Sequence, residues 1–199
     1  DKTFFKIFGI KDAVYKVNFY GKTDPKIYED IMTIANLPLK LLDEKKKEIY
    51  EKYIYHLKYE ISIFPHNPVI TNVIEYLEKI TNNDNYIIGL LTGNIEAGAY
   101  IKIGRWDLTK YFSFGAFGSD SKIRSELVNI AVARAKKKFN IQHFDKDNIF
   151  IIGDTPLDIQ CAKDNNVKAV AVATGKYSIG ELKEYQPDIL INSLIELDI

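Results

Sequence analysis

Hydrophobic positions change their rhythm part-way along the chain. Up to about residue 80 they recur at helical spacing. Ile27, Ile31, Ile34 and Ala35 mark one stripe, Ile49, Tyr53 and Leu57 a second, and Val69, Val73, Leu77 and Ile80 a third. The opening DKTFFKIFGI reads as the middle of a helix running into a glycine stop. Asp24 before Pro25 predicts an N-cap followed by a first-turn proline, a second helix starts near Asp43, and a third follows FPHNP. From Tyr86 the apolar residues come in brief, β-branched runs without alternation: YIIGLL (86–91), NIFII (148–152), KAVAVA (168–173) and DILI (188–191). Strands covered on both faces have that character. Helical patterns separate them, most clearly over 125–138, where Leu127, Ile130, Ala131 and Arg134 recur. The alternation predicts an α/β protein with a Rossmann-like parallel-sheet core and right-handed crossovers. The helical first part predicts a second lobe, joined to the core near 11–20 and 61–68.

Composition narrows the class further. The 199 residues are 46% apolar and 27% charged, enough for one core and a small appended domain. Lys plus Arg equal Asp plus Glu at 27 each, so no global field draws the chain to nucleic acid or anionic lipid. The short runs Lys45-Lys46-Lys47 and Lys136-Lys137-Lys138 read as solvated helix faces. Cys161 is the one cysteine, which excludes an internal disulfide, and its setting in DIQCAKD predicts a small buried side chain rather than a nucleophile. No apolar run approaches the roughly 20 residues of a membrane helix and no signal peptide is visible, so the expected compartment is the cytoplasm. Asp1, standing within a helical pattern, suggests a processed, excised or incomplete polypeptide.

Ligands of open α/β sheets bind beyond the carboxyl ends of the strands, which makes the residues there the candidates. After YIIGLL come Thr92, Gly93 and Asn94, ahead of a helix over 95–104. A hydroxyl, a bare backbone and an amide at a helix N-terminus suit a phosphate, and equally suit a plain N-cap. After NIFII come Gly153, Asp154, Thr155, Pro156 and Asp158. Thr155 suits an N-cap, Pro156 the first helical position and Asp158 the reciprocal partner of a capping box. Asp154 stands outside the cap, at the strand end. With Asp158 it can offer carboxylate oxygens to Mg²⁺, which takes one or two such ligands together with substrate phosphate. In FGSDSKIRSELVNIAVARA (117–135), Lys122 and Arg124 precede a helix and can neutralise a phosphoryl group. The chain has no G-x-x-x-x-G-K-[ST] and no G-x-G-x-x-G, and His56, His66 and His143 lack the paired spacing of a zinc site.

Taken in order, GLLTGN, SDSKIRSEL and IIGDTPLDIQCAK resemble motifs II, III and IV of the haloacid dehalogenase superfamily, in its phosphoglycolate-phosphatase-like branch. FGIKDAVYKVNFYGKTDPKIYEDI looks like the start of that branch's helical cap, and FPHNPVITNVIEYLEKI like the return to the core. The resemblance implies a linker helix over 1–10, an inserted cap over 11–65 and a core over 66–199. It implies that Thr92 binds phosphoryl oxygens with help from Gly93 and Asn94, that Asp154 ligates Mg²⁺ with Asp158 assisting directly or through water, and that Arg124 or Lys122, Arg124 preferred, is the motif III cation. The segment GKTD (21–24) is the cap stretch suited to the mouth of a cleft, or simply a capped loop.

The family's motif I, a strand ending in D-x-D-x-T that supplies the nucleophile and the general acid, has no counterpart here. FDKDN (144–148) has the acid spacing but precedes a strand. Because the motif I strand is central in the family's sheet, its absence leaves two half-sheets with unpaired inner edges. The expectation is a native segment of about 15 to 20 further residues ahead of Asp1, estimated from a strand, a turn and half a helix. The expected activity is Mg²⁺-dependent hydrolysis of a small phosphorylated metabolite through an aspartyl-phosphate, with the chain inactive without motif I. The alternatives are a phosphomutase and a non-catalytic binding or regulatory domain.

Overall fold

A computed structural model describes residues 1–64 and 72–198. The expected cap-to-core joint at 61–68 and the positions of His66 and Val69 lie largely or wholly outside the described residues. The fold is α/β, mostly helical, with parallel strands and an N-terminal helical region.

The helical region holds α1 (Lys2–Phe8), α2 (Asp24–Ile34), α3 (Lys40–Glu44) and α4 (Lys46–Ile63). The glycine stop is realised: Gly9 adopts the left-handed φ of 71° and its N–H donates to Phe5 O. The N-cap of α2 is not Asp24 but Thr23, whose Oγ1 accepts from Lys26 N at 3.3 Å. Asp24 thereby becomes the first helical residue, with its carboxylate free to reach elsewhere. The helix expected from Asp43 is two helices, with Asp43 inside the shorter. The stripes of α1, α2 and α4 meet in one core of Phe4, Tyr28, Ile31, Met32 and Ile49.

The remainder runs α5 (Val73–Thr81), β1 (Leu90–Thr92), α6 (Glu96–Gly104), β2 (Gly115–Phe117), α7 (Glu126–Phe139), β3 (Phe150–Gly153), α8 (Pro156–Asn165), β4 (Lys168–Val172), α9 (Ile179–Glu184) and β5 (Ile189–Ile191). The strand expected over 86–91 is confined to 90–92, and β2 was not expected, since Gly115-Ala116-Phe117 is too short to show a pattern. Strand residues alternate between two faces of β4. Ala169 and Ala171 pack with Val128, Ile159, Cys161 and Leu182 from α7, α8 and α9, whereas Val170 and Val172 pack with Tyr76 of α5 and Leu197. Helices therefore cover both faces, as a parallel sheet requires.

The strands do not form one sheet. Among the described residues β1 pairs only with β2, and β3, β4 and β5 form a separate sheet, all in parallel register. α7 packs on β1 and β2, α8 on β3 and β4, and α7 on α8, so the two sheets lie side by side. β1 and β3 are less buried than the strands they pair with. β1 is half-buried throughout and Ile152 of β3 is 39% exposed, whereas β2 and most of β4 are buried.

Candidate active site

The carboxyl ends of β1 and β3 open onto a cleft of about 710 Å³ between the sheets and the helical region. Thr92, Gly93, Asn94, Arg124, Asp154 and Asp158, expected from three separate stretches of sequence, all line it. Lys122 does not join them among the described lining residues. It is exposed and pairs with Glu29 of α2 at 2.7 Å.

Asp158 is committed on both oxygens. Oδ2 accepts from Thr155 N at 3.1 Å and Thr155 Oγ1 at 2.8 Å, closing the capping box of α8, while Oδ1 accepts from Arg124 Nη2 at 2.5 Å. The pair is well buried, with side-chain exposures of 17% for Arg124 and 8% for Asp158. Charge-assisted bonds of this kind fix both partners. α8 holds the Arg124 segment by two further contacts, as Cys161 Sγ meets Arg124 O at 3.4 Å and Asn165 Nδ2 donates to Ser125 O at 2.8 Å. Cys161 is thus a packing residue as expected, its thiol pushed up to about 11 chiefly by burial.

Asp154 differs from Asp158. It is half-buried, lies outside the helix cap and makes no ion pair within 4 Å among the described residues. Burial first, and the Asp158 carboxylate second, push its carboxyl above the ordinary range. Its Oδ2 lies so close to Gly175 that a Cβ there would fall 1.8 Å away, and any side chain at 175 would push the carboxylate aside. A carboxylate so placed gains from a cation. Among the described residues no three His, Cys, Asp or Glu side chains gather into a complete metal cage. The donor chemistry still fits a hard ion that draws most of its ligands from phosphate and water, with Asp154 the available oxygen donor.

The β1 end departs from the expected cradle. Thr92 Oγ1 accepts from Asn94 N at 3.2 Å, but the N-terminus of α6 is already capped from elsewhere. Ile95 N donates to Asp24 Oδ2 at 2.8 Å and Glu96 N to Ser119 Oγ at 3.1 Å. Asp24, freed from capping its own helix, crosses to cap α6, where a carboxylate complements the helix dipole. Asn94 Nδ2 donates to Asp24 Oδ1 at 3.3 Å, and Asn94 Oδ1 accepts from Lys102 Nζ at 2.9 Å. Asn94 therefore relays charge between a buried acid and a half-buried lysine. Burial raises the pKa of Asp24 and lowers that of Lys102. The helical region is pressed close here: Asp24 N donates to Gly93 O at 2.7 Å, and a Cβ on Gly93 would meet Lys22 O at 2.2 Å. Lys102 did not stand out in the sequence as part of a site, whereas Asp24 belongs to GKTD, the stretch expected either at the mouth of a cleft or as a capped loop, and with Gly21 and Lys22 it lines the cleft. Asp24 carried the signal of a local cap, and the contact it makes spans 71 residues.

Residues 7–172 match the model of the haloacid dehalogenase-like hydrolase family, and the chain belongs to that family. No curated protein matches it in sequence. Among solved structures it is similar to a hydrolase from Pseudomonas syringae, with a TM-score of 0.67 at 18% identity over 96% of this chain and 82% of that one. It is also similar to a structure described as a predicted phosphatase from Clostridium acetobutylicum (0.62, 17%, 94% and 80%). A third likeness is to one described as a predicted phosphoglycolate phosphatase from Haemophilus somnus (0.59, 15%, 88% and 76%). At these identities the likeness establishes the shared fold. No helix among the described residues is long and apolar enough to cross a membrane.

Proposed function

We propose that the protein is a Mg²⁺-dependent phosphomonoester hydrolase whose helical region is a cap over the core. The observation that carries this reading is the convergence of Thr92, Arg124 and Asp154 on one cleft from three strand ends far apart in sequence. In the reading, Thr92 and the Gly93 backbone hold phosphoryl oxygens. Arg124, steadied by Asp158, offsets the charge of the transferring group. Asp158 acts by holding Arg124 and shaping the turn, and Asp154 is the residue that would hold the metal. When bound, Mg²⁺ supplies positive charge to the phosphate oxygens.

The nucleophile is not among these 199 residues. We assign it to a strand that pairs with the free edges of β1 and β3 and ends in the cleft. The half-exposed inner strands support that insertion, because central strands of an α/β sheet are ordinarily the most buried. An aspartate at its end attacks phosphorus in line, forming a carboxylate–phosphorus bond as the ester oxygen leaves, and water then hydrolyses the aspartyl-phosphate. A second reading, a binding module that has lost turnover, shares the same cleft.

Turnover of an aryl phosphate by the protein expressed from its natural reading frame separates them. The hydrolase reading expects activity with Mg²⁺, none with a chelator, and a drop of roughly 10³-fold or more in Asp154→Asn, the scale of losing electrostatic stabilisation at a reacting phosphate. Equal activity of Asp154→Asn rejects the metal assignment, and inactivity of the native protein favours the binding module.

A further inference from the structure

The cleft has a second wall that the phosphate chemistry leaves unused. Phe19, Tyr20 and Tyr53 stand partly exposed on it, with the buried rings of Phe4 and Tyr28 behind them. Phe19 and Tyr20 stack with centroids 4.5 Å apart, and Phe4 meets Tyr28 at 5.2 Å. Rings grouped in this way offer flat apolar area with few rotatable bonds, which suits another ring better than a short polar chain.

Charge on the same wall is already matched. Of the described cationic side chains lining the cleft, Lys22 is held by Asp30 at 2.6 Å, Lys102 is tied through Asn94 to Asp24, and Arg124 belongs to the phosphate end. A substrate with a second anionic group, such as a phosphorylated short carboxylic acid, finds no unmatched cation there.

Tyr28 adds an independent sign. The residue is 8% exposed, and its Oη is a buried polar atom with no hydrogen-bond partner among the described residues. Buried hydroxyls are ordinarily paired and Tyr28 lines the cleft, so its unpaired donor calls for an acceptor from outside the described residues, which a ligand in the cleft can bring. Burial raises the pKa of this phenol, which keeps it a donor.

We propose that the substrate is a phosphomonoester of a ring-bearing alcohol, its ring lying on the aromatic wall and an acceptor on it taking a hydrogen bond from Tyr28 Oη. The proposal rests on the hydrolase reading, which makes the phosphate end the reacting end. Kinetics of the native full-length protein with uridine 5′-monophosphate and with 2-phosphoglycolate, at one Mg²⁺ concentration, test it. The expected kcat/KM favours the nucleotide by about tenfold or more. Tyr28→Phe, which keeps the ring and its packing, lowers the nucleotide value about tenfold through KM, as the loss of one hydrogen bond does, and leaves phosphoglycolate within about twofold.

Equal values for the two esters, or a Tyr28→Phe variant like the wild type, overturn the ring site and leave the hydrolase reading standing. If neither ester turns over, calorimetry with uridine decides. Binding weakened by Tyr28→Phe keeps the ring site and removes only the hydrolase reading, whereas no binding, or binding indifferent to Tyr28, overturns both.

Discussion

In the three-stranded sheet, burial follows the usual order: β4, between two neighbours, is the most enclosed strand, with α5 on one face and α7, α8 and α9 on the other. In the two-stranded sheet the order is reversed. β2 is buried, while β1, whose carboxyl end carries Thr92, is half-exposed. β3 resembles β1 in this respect. The least enclosed strands are thus the two whose carboxyl ends deliver Thr92 and Asp154 to the cleft.

The two halves are also fastened differently. Arg124 and Asp158 tie the start of α7, which covers the smaller sheet, to the start of α8, which covers the larger. Removing one partner leaves the other charge buried and unmatched. Arg124→Ala is therefore expected to lower unfolding free energy by about 3 kcal/mol, the low end for breaking a buried pair because Asp158 keeps its bonds to Thr155. Urea unfolding measures this, and a loss under about 1 kcal/mol, the scale of a surface pair, would mean that the halves are not joined here.

Within the smaller half the fastening is more exposed. Arg134 donates to both oxygens of Asp120 at 2.6 and 2.8 Å and to Gly115 O at 2.7 Å, and Asp120 Oδ2 also accepts from Phe117 N. The Arg134 bonds above all hold the Asp120 carboxyl below its ordinary range. The folded pKa is depressed, so the contribution is present above the unfolded value of about 3.9 and is lost as pH falls through the lower folded value. Arg134 is 42% exposed, so Asp120→Asn is expected to cost only about 1 kcal/mol at neutral pH after allowance for solvent screening. That difference should shrink below about pH 4, as thermal denaturation across a pH series would register. A difference constant down to pH 2 would assign the effect to packing instead.

The same contrast explains what could be read in the sequence. Thr92, Arg124, Asp154 and Asp158 follow strands or open helices, and strand-then-cap is a local pattern visible in a few residues. The capping box at Thr155 and Asp158 was legible for that reason and is present in the structure. β2 was not, because three residues ending in Phe117 carry no periodicity. Asp24, Asn94 and Lys102 form a network only because the helical region folds back onto β1, and nothing local to Asp24 distinguishes a carboxylate that caps its own helix from one that caps a helix 71 residues on. Tyr28 sits on a regular apolar stripe of α2 and reads as core. Its unpaired hydroxyl becomes visible only when the surrounding side chains are in place.

Metal binding at this site turns on the difference between two neighbouring carboxylates, Asp158 with both oxygens engaged and Asp154 with no ion pair among the described residues. Calorimetric titration of Mg²⁺ into the protein expressed from its natural reading frame, with a phosphate mimic present, addresses that difference directly. The expected result is saturable binding in the wild type that disappears in Asp154→Asn. Undiminished Mg²⁺ binding in Asp154→Asn would contradict the account.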